Sequence, residues 1–251
     1  MDKWKLYDEL IENIEDRYTV EYCFISPHWI GVKNQMGLGL AMRMSESPIV
    51  TKLTGNMKGM KLKDLAVYAK SWDFHEASIG MAAVNSYYNG QNNTALNNIN
   101  ENTSNVSIFD LIKDNVYGKK VTIVGHFPNI EKMREICQLT ILERKPDLAR
   151  YDLPDPACEF VLPKQDYLFT TAVTLINKTL PRLLELSKNA KTYLVGPTTP
   201  LTDIMINYGI DCLSGSIVLE EEKAKDLFLE GAILQSVIKN KYIKMVNILK
   251  N

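Results

Sequence analysis

The sequence predicts a protein of mixed α/β and α+β class: a small α+β unit followed by a doubly wound, mostly parallel sheet. Three observations predict it. Strand-like runs precede helical spacing in roughly the first ninety residues, the order of an α+β unit. The stretch 89-NGQNNTALNNINENTSN-105 then holds eight asparagines and almost no large apolar side chains, so it cannot bury itself and reads as a linker. Beyond it, short β-branched runs alternate with helical patterns, which argues for parallel strands joined by helices. The predicted parts are residues 1–105 and 106–251.

The elements follow in order. In 1-MDKWKLYDELIENIEDR-17, Trp4, Tyr7, Leu10, Ile11 and Ile14 fall on one helical face. The run 19–33 is β-branched and aromatic, and 34–44 adds turn residues and a second apolar run; together they predict a strand pair. Segments 61–70 and 73–89 carry helical spacing. After the linker, 120–125 reads as a strand, 129–137 as a helix opened by Pro128, 139–143 as a strand and 159–163 as extended. The segment 166–177 begins as a strand, and a helix follows around 181–189. Residues 191–196 read as a strand and 199–209 as a helix, with Thr199 as its N-cap, Pro200 at the first helical position and Gly209 past its end. A strand at 210–215 and C-terminal helices complete the chain. The apolar run 232–249 suits either a homodimer interface or packing on the chain's own sheet.

Bulk composition narrows the function. Apolar residues make up 45% of the chain, enough for a sizeable core. The net charge of −1 gives no basic field for nucleic acid or anionic lipid. No apolar run approaches the roughly 18 residues of a membrane span, and the charged N-terminus lacks a signal core. The four cysteines, Cys23, Cys137, Cys158 and Cys212, are far apart, with no C-x-x-C pair. They read as buried thiols in a reducing cytoplasm.

Ligands of open parallel sheets sit outside the carboxyl ends of the strands. Those ends are Gly125-His126, Glu143, Thr170-Thr171, Gly196-Pro197-Thr198 and Ser214-Gly215. Gly125 fits the first glycine of a dinucleotide loop, but Phe127 stands where the second glycine should be, and Pro128 has no N–H to offer. His126 suits an acid/base, ligand-contact or metal-ligand role; His28 and His75 do not sit at such an edge. Glu143 lies 18 residues past Gly125, near the place where an acid binds ribose hydroxyls. Thr171, Thr174 and Asn177 bring hydroxyls and an amide to the same edge, where local backbone bonding is the competing use. In the N-terminal part, Asn34, Gly37 and Gly39 form a turn and glycine pair. Asn85, within an apolar helix, needs a hydrogen-bond partner, for which the other part is the expected source.

The strings 124-VGHFP-128, Glu143, 162-LPKQDYLFTTAVTLINKTL-180, 195-VGPTTPL-201 and 214-SG-215, with 34-NQMGLGLAM-42, resemble a family of bacterial and archaeal proteins named for heavy-metal chelation. The resemblance covers nearly the whole chain. It implies a first domain similar to the N-terminal domain of enolases, a Rossmann-like second domain and an active site in the cleft between them. The positions it carries over are Gly125, His126, Phe127, Glu143, Thr171, Thr174, Asn177, Gly196, Pro197 and Gly215. Ala172 stands where the family commonly has glycine, which would narrow a ligand's approach.

Three functions are compatible with these residues. The first is binding or processing of a small polar ligand, anionic or metal-chelating, in the cleft; a heavy metal, if present, is then held by the protein or arrives on the ligand. The second is a nucleotide- or S-adenosylmethionine-dependent enzyme. The third is a non-enzymatic carrier of a metal complex.

Overall fold

A computed structural model describes residues 2–44, 51–96, 100–147 and 151–250; residues 97–99 of the asparagine-rich stretch lie outside them. Helix α1 (Lys5–Glu12) buries Leu6, Tyr7, Leu10 and Ile11, close to the face the spacing predicts. The run 19–33 is broken at Ser26-Pro27-His28, where the Ser26 hydroxyl accepts from the Trp29 N–H at 3.1 Å. It therefore gives two strands, β1 (Tyr22–Ile25) and β2 (Trp29–Asn34). With β3 (Gly37–Met42) these form an antiparallel meander in the order β1-β2-β3, so the expected strand pair is a three-stranded sheet.

Helices α2 (Leu62–Ala66) and α3 (Phe74–Tyr88) follow the meander. The Asp73 carboxylate caps α3 by accepting from the N–H groups of His75 and Glu76. Twelve of the fifteen α3 residues are buried, and a helix apolar on every side must be covered on every side. One side lies on the meander so closely that a Cβ on Gly39 would stand 1.9 Å from the Ser86 nitrogen. The other side meets the C-terminal part.

That part is a seven-stranded sheet. Its strands are β4 (Lys120–Val124), β5 (Gln138–Glu143), β6 (Leu153–Pro154), β7 (Tyr167–Thr171), β8 (Lys191–Val195), β9 (Cys212–Val218) and β10 (Ile243–Leu249). The spatial order is β10-β9-β8-β7-β4-β5-β6. All neighbours are parallel except β10, which runs antiparallel to β9. The chain thus steps outward from β4 to β5 and β6, then returns past β4 to β7, β8 and β9. The order reverses between β4 and β7, and a crevice opens at their carboxyl ends.

Several expected elements differ. Residues 129–137 form a 3₁₀ run at Ile130–Glu135, preceded by Asn129 at φ 61°; a left-handed residue cannot belong to a helix, so Pro128 does not open one. Helix α4 (Ile108–Leu111) precedes β4 and α7 (Leu180–Leu186) precedes β8; residues 158–161 are a short helix, α5 (Cys158–Val161), not an extended stretch. Thr199 is not an N-cap: its N–H closes a turn on the Gly196 carbonyl, and α8 (Asp203–Asn207) is capped by Thr202. Gly209, at φ 93°, does follow the end of α8. The tail holds α9 (Glu221–Leu229), α10 (Leu234–Lys239) and then β10, so part of the run read as helical is an edge strand of the chain's own sheet. The linker's end covers that edge. Asn105 bonds both the N–H and the C=O of Met245, and Asn247 donates to the Thr103 and Val106 carbonyls. Covering an edge in this way blocks strand addition.

The two parts share their apolar cores. One cluster joins Ile30 and Ala82 to Leu194 and Leu213. Another joins Phe24, Trp29 and Leu40 to Phe228 and Val237. A polar seam fixes their register. Asn85 donates to the carbonyls of Leu40 and Thr198 at 2.8 and 3.0 Å. Asn89 donates to those of Thr199 and Ser216 and accepts from the Leu201 N–H at 2.8 Å. Asn89→Ala leaves these buried backbone groups without partners, at about 1–3 kcal/mol each. Urea unfolding should show a loss near 3 kcal/mol, against at most about 1 kcal/mol for the exposed Asn102→Ala.

Candidate functional site

At the order reversal, Val124 of β4 lies in register with Thr170 of β7, so the next residues, Gly125 and Thr171, face each other. Gly125 has φ 94°, and a Cβ there would stand 2.9 Å from the Thr171 methyl. Glycine is required on both counts. A cavity of about 320 Å³ opens here. Gly125, His126, Glu143, Thr171, Thr174 and Asn177 line it, so six of the residues singled out from the sequence meet in one place. Met42 and Met44, from the end of β3, line it from the N-terminal part.

Each wall has a local cause. The Thr174 hydroxyl donates to the Thr171 carbonyl at 2.6 Å, which folds the β7 exit into α6 (Val173–Ile176). The Asn177 carbonyl oxygen accepts from both the N–H and the hydroxyl of Thr179, which fixes the amide and leaves its NH₂ without a partner among the described residues. Glu143 accepts from the Arg144 N–H at 2.8 Å, and the Arg144 guanidinium meets Asp155 at 3.3 Å. With Lys145 also in the wall, charges of both signs surround the opening. Thr198 stands behind the site: its hydroxyl accepts from the Met42 N–H at 2.9 Å and so positions Met42 over the cavity.

His126 is held from behind. Its Nε2 lies 3.4 Å from the Asp152 carboxylate and 3.6 Å from that of Glu131. The Asp152 side chain is 1% exposed and its Oδ1 has no hydrogen-bond partner among the described residues. The buried carboxylate thus stands within ion-pair distance of the imidazole. The sequence reading missed Asp152, which lies in a loop with no motif. It also passed over Arg144 and Lys145, although a basic pair directly after the Glu143 strand end was a readable signal.

The other residues named from the sequence lie elsewhere. Phe127 points to the opposite side of the loop and packs on Phe109. Gly196 and Pro197 follow β8 beside the seam and do not line the cavity. Gly215 sits under Leu201. Asn34 is fully buried, donating to Ser86 and accepting from the Met36 N–H, and Gly37 abuts Gly90. Ala172 is buried in the shared core and does not narrow the cavity. His75 is buried in α3, and burial lowers its pKa.

Among the described residues no group of three or more His, Cys, Asp or Glu side chains is placed to hold a metal ion. Cys137 and Cys212 are buried and Cys23 and Cys158 half-buried. Burial pushes the Cys23 and Cys212 thiols up to about 12, whereas metal binding needs the thiolate. The described residues therefore do not assemble a metal centre from their own side chains. Among the described residues, too, no helix is long and apolar enough to cross a membrane.

The fold and the cavity define a class: an α+β meander packed on a doubly wound sheet, with a polar cavity at the strand-order reversal. The chain belongs to the DUF364 family, described as "Putative heavy-metal chelation", which matches residues 96–246; a second family of the same description, DUF4213, matches residues 7–88. A DUF364 protein of unknown function from Desulfitobacterium hafniense, solved by crystallography, is 35% identical, with a TM-score of 0.89 over 99% of both chains. A second such crystal structure, from Pyrococcus horikoshii, is 19% identical with a TM-score of 0.75 over 99% of this chain and 100% of that one, a likeness of fold. The uncharacterized protein MJ0500 of Methanocaldococcus jannaschii is 29% identical over 86% of this chain and 84% of its own length.

Beside the cavity, Lys178 donates to the Ile176 carbonyl at 2.6 Å and lies over the Tyr7 ring. Burial lowers its pKa to about 8. A lysine depressed in the folded state favours folding fully above its unfolded value, about 10.4, and that contribution is lost as pH falls through 8. The stability of the native chain relative to Lys178→Met should therefore rise from pH 8 to pH 10.5, measured by urea unfolding at each pH. A flat difference curve would contradict the assignment.

Proposed function

We propose that the chain binds a small, polar, anionic molecule with metal-chelating groups in the cavity between β4 and β7, beneath Met42 and Met44. The carrying observation is convergence. The exits of β4, β5 and β7 bring an imidazole, a carboxylate, a hydroxyl and an amide NH₂ that has no partner among the described residues to one crevice at the order reversal. This is the place where doubly wound sheets hold ligands, and the volume lies at the lower end of the range for small-molecule sites. His126, steadied by Asp152, is the acid/base or ligand-contacting group. Glu143 anchors a hydroxyl or cationic part of the ligand, and Thr171 and Asn177 orient it. Arg144 and Lys145 supply positive charge for an acidic group. A chelator brings its own donor atoms, which reconciles the family description with a site that lacks a protein ligand set.

Thermal unfolding with Zn²⁺ alone, citrate alone and the zinc–citrate complex tests this reading. Citrate or its complex should stabilise the protein, by roughly 2.7 kcal/mol at 100 times the dissociation constant. His126→Ala and Asn177→Leu should abolish the gain. Stoichiometric binding of Zn²⁺ alone, unaffected by His126→Ala, would reject it.

The strand order and Glu143 favour a nucleotide-dependent enzyme as the second reading, since both recur in Rossmann-like sites. Against it, β4 runs into a left-handed Asn129 and a 3₁₀ segment, so no α-helical N-terminus follows β4 to receive a pyrophosphate as in a dinucleotide loop. A panel of NAD, NADP, S-adenosylmethionine and ATP should leave the melting temperature unchanged; a saturable shift with any of them would make this second reading the better one.

A further inference from the structure

The loop Gly125–Asn129 has a second face. His126 lines the cavity described above, whereas Phe127, Pro128 and Asn129 line another, of about 620 Å³, on the other side. Val195 and Ser214, at the carboxyl end of β8 and beside it on β9, form part of its wall. The two cavities have no lining residue in common.

The second cavity has its own chemistry. Phe109 and Phe127 place their ring centroids 5.4 Å apart at 59°, and Phe109 in turn packs on the buried Phe169. Met133, Ile238 and Met245 extend the apolar lining. Lys113 and Lys132 also line it, and neither forms an ion pair with a carboxylate among the described residues. Among the described residues Asp110 is its one acidic lining residue. An aromatic wall with thioether neighbours accepts a flat ring, and two ammonium groups against one carboxylate select negative charge. We infer that this cavity is a second ligand site, for a planar aromatic molecule carrying an acidic group.

The probe is 8-anilinonaphthalene-1-sulfonate, titrated by fluorescence against the full chain, with naphthalene-2-sulfonate and its uncharged analogue 2-naphthalenemethanol as competitors. Saturable binding at one molecule per chain is expected, displaced by the sulfonate at least tenfold better than by the alcohol. The double variant Lys113→Glu/Lys132→Glu should weaken binding at least tenfold, and Val106→Trp, at the partly exposed rim, should block it. Far-ultraviolet circular dichroism and unchanged thermal unfolding establish that both variants fold. Glu143→Gln, on the other side of the loop, should leave the titration unchanged, which separates this site from the first. Non-saturable binding, equal displacement by the alcohol, or insensitivity to both rim variants would overturn the inference.

Discussion

Two asparagine side chains hold the molecule in its working arrangement. Asn85 and Asn89 lie on or just past α3, a helix that the meander covers on one side. Their amides meet the backbone of residues 198–201, a loop whose polar groups would otherwise be buried without partners. At Asn89 a primary amide suits this position because it donates and accepts at once, whereas Asn85 serves as a double donor. The cost of an orphaned buried group makes the seam specific as well as stable, since any other register of the two parts strands several donors and acceptors. Through Thr198 the same loop holds the end of β3, and the end of β3 delivers Met42 and Met44 to the cavity. The site's lid is thus an outcome of packing some distance behind it.

The position of the cavity was more legible in the sequence than the full set of residues that line it. Ends of parallel strands announce themselves where a β-branched run stops at a glycine or polar residue, and the rule for ligand position needs no motif. That is why Gly125, His126, Glu143, Thr171, Thr174 and Asn177 emerged together. Asp152 did not, because a buried carboxylate in a loop has no periodic signature. Asn34, Gly37 and Gly39 were read as ligand residues, yet Gly39 serves the close approach of α3 to β3, Gly37 abuts the chain just past α3, and Asn34 bonds Ser86 of α3, needs that exist only once these elements are packed. The 3₁₀ run after β4 and the short helix at 158–161 escaped because brief apolar segments fit more than one backbone state. Strand β10 escaped because its partner, β9, is defined by tertiary pairing. Thr199 and Thr202 both precede helix-opening residues, and local chemistry alone does not choose between them.

Family and geometry meet on one point of chemistry. A protein that held a heavy metal with its own side chains would gather thiolates or imidazoles. Burial raises the pKa of all four cysteines, all four are free, and one of the three histidines lines the cavity. What lines the cavity is hydrogen-bonding groups and charge of both signs, which supports the organic ligand proposed above.

The burial of α3 also bears on how the chain is made. Its apolar surface is complete by residue 88, but the backbone groups that pair with its seam lie at residues 198–216. At about 5–20 residues per second, ribosomes need roughly 6–25 s to supply them. For that interval the N-terminal part carries an uncovered apolar helix. Its folding during synthesis is therefore set by translation speed and by whatever shields nascent chains, and a slow stretch between residues 90 and 216 would lengthen the exposure.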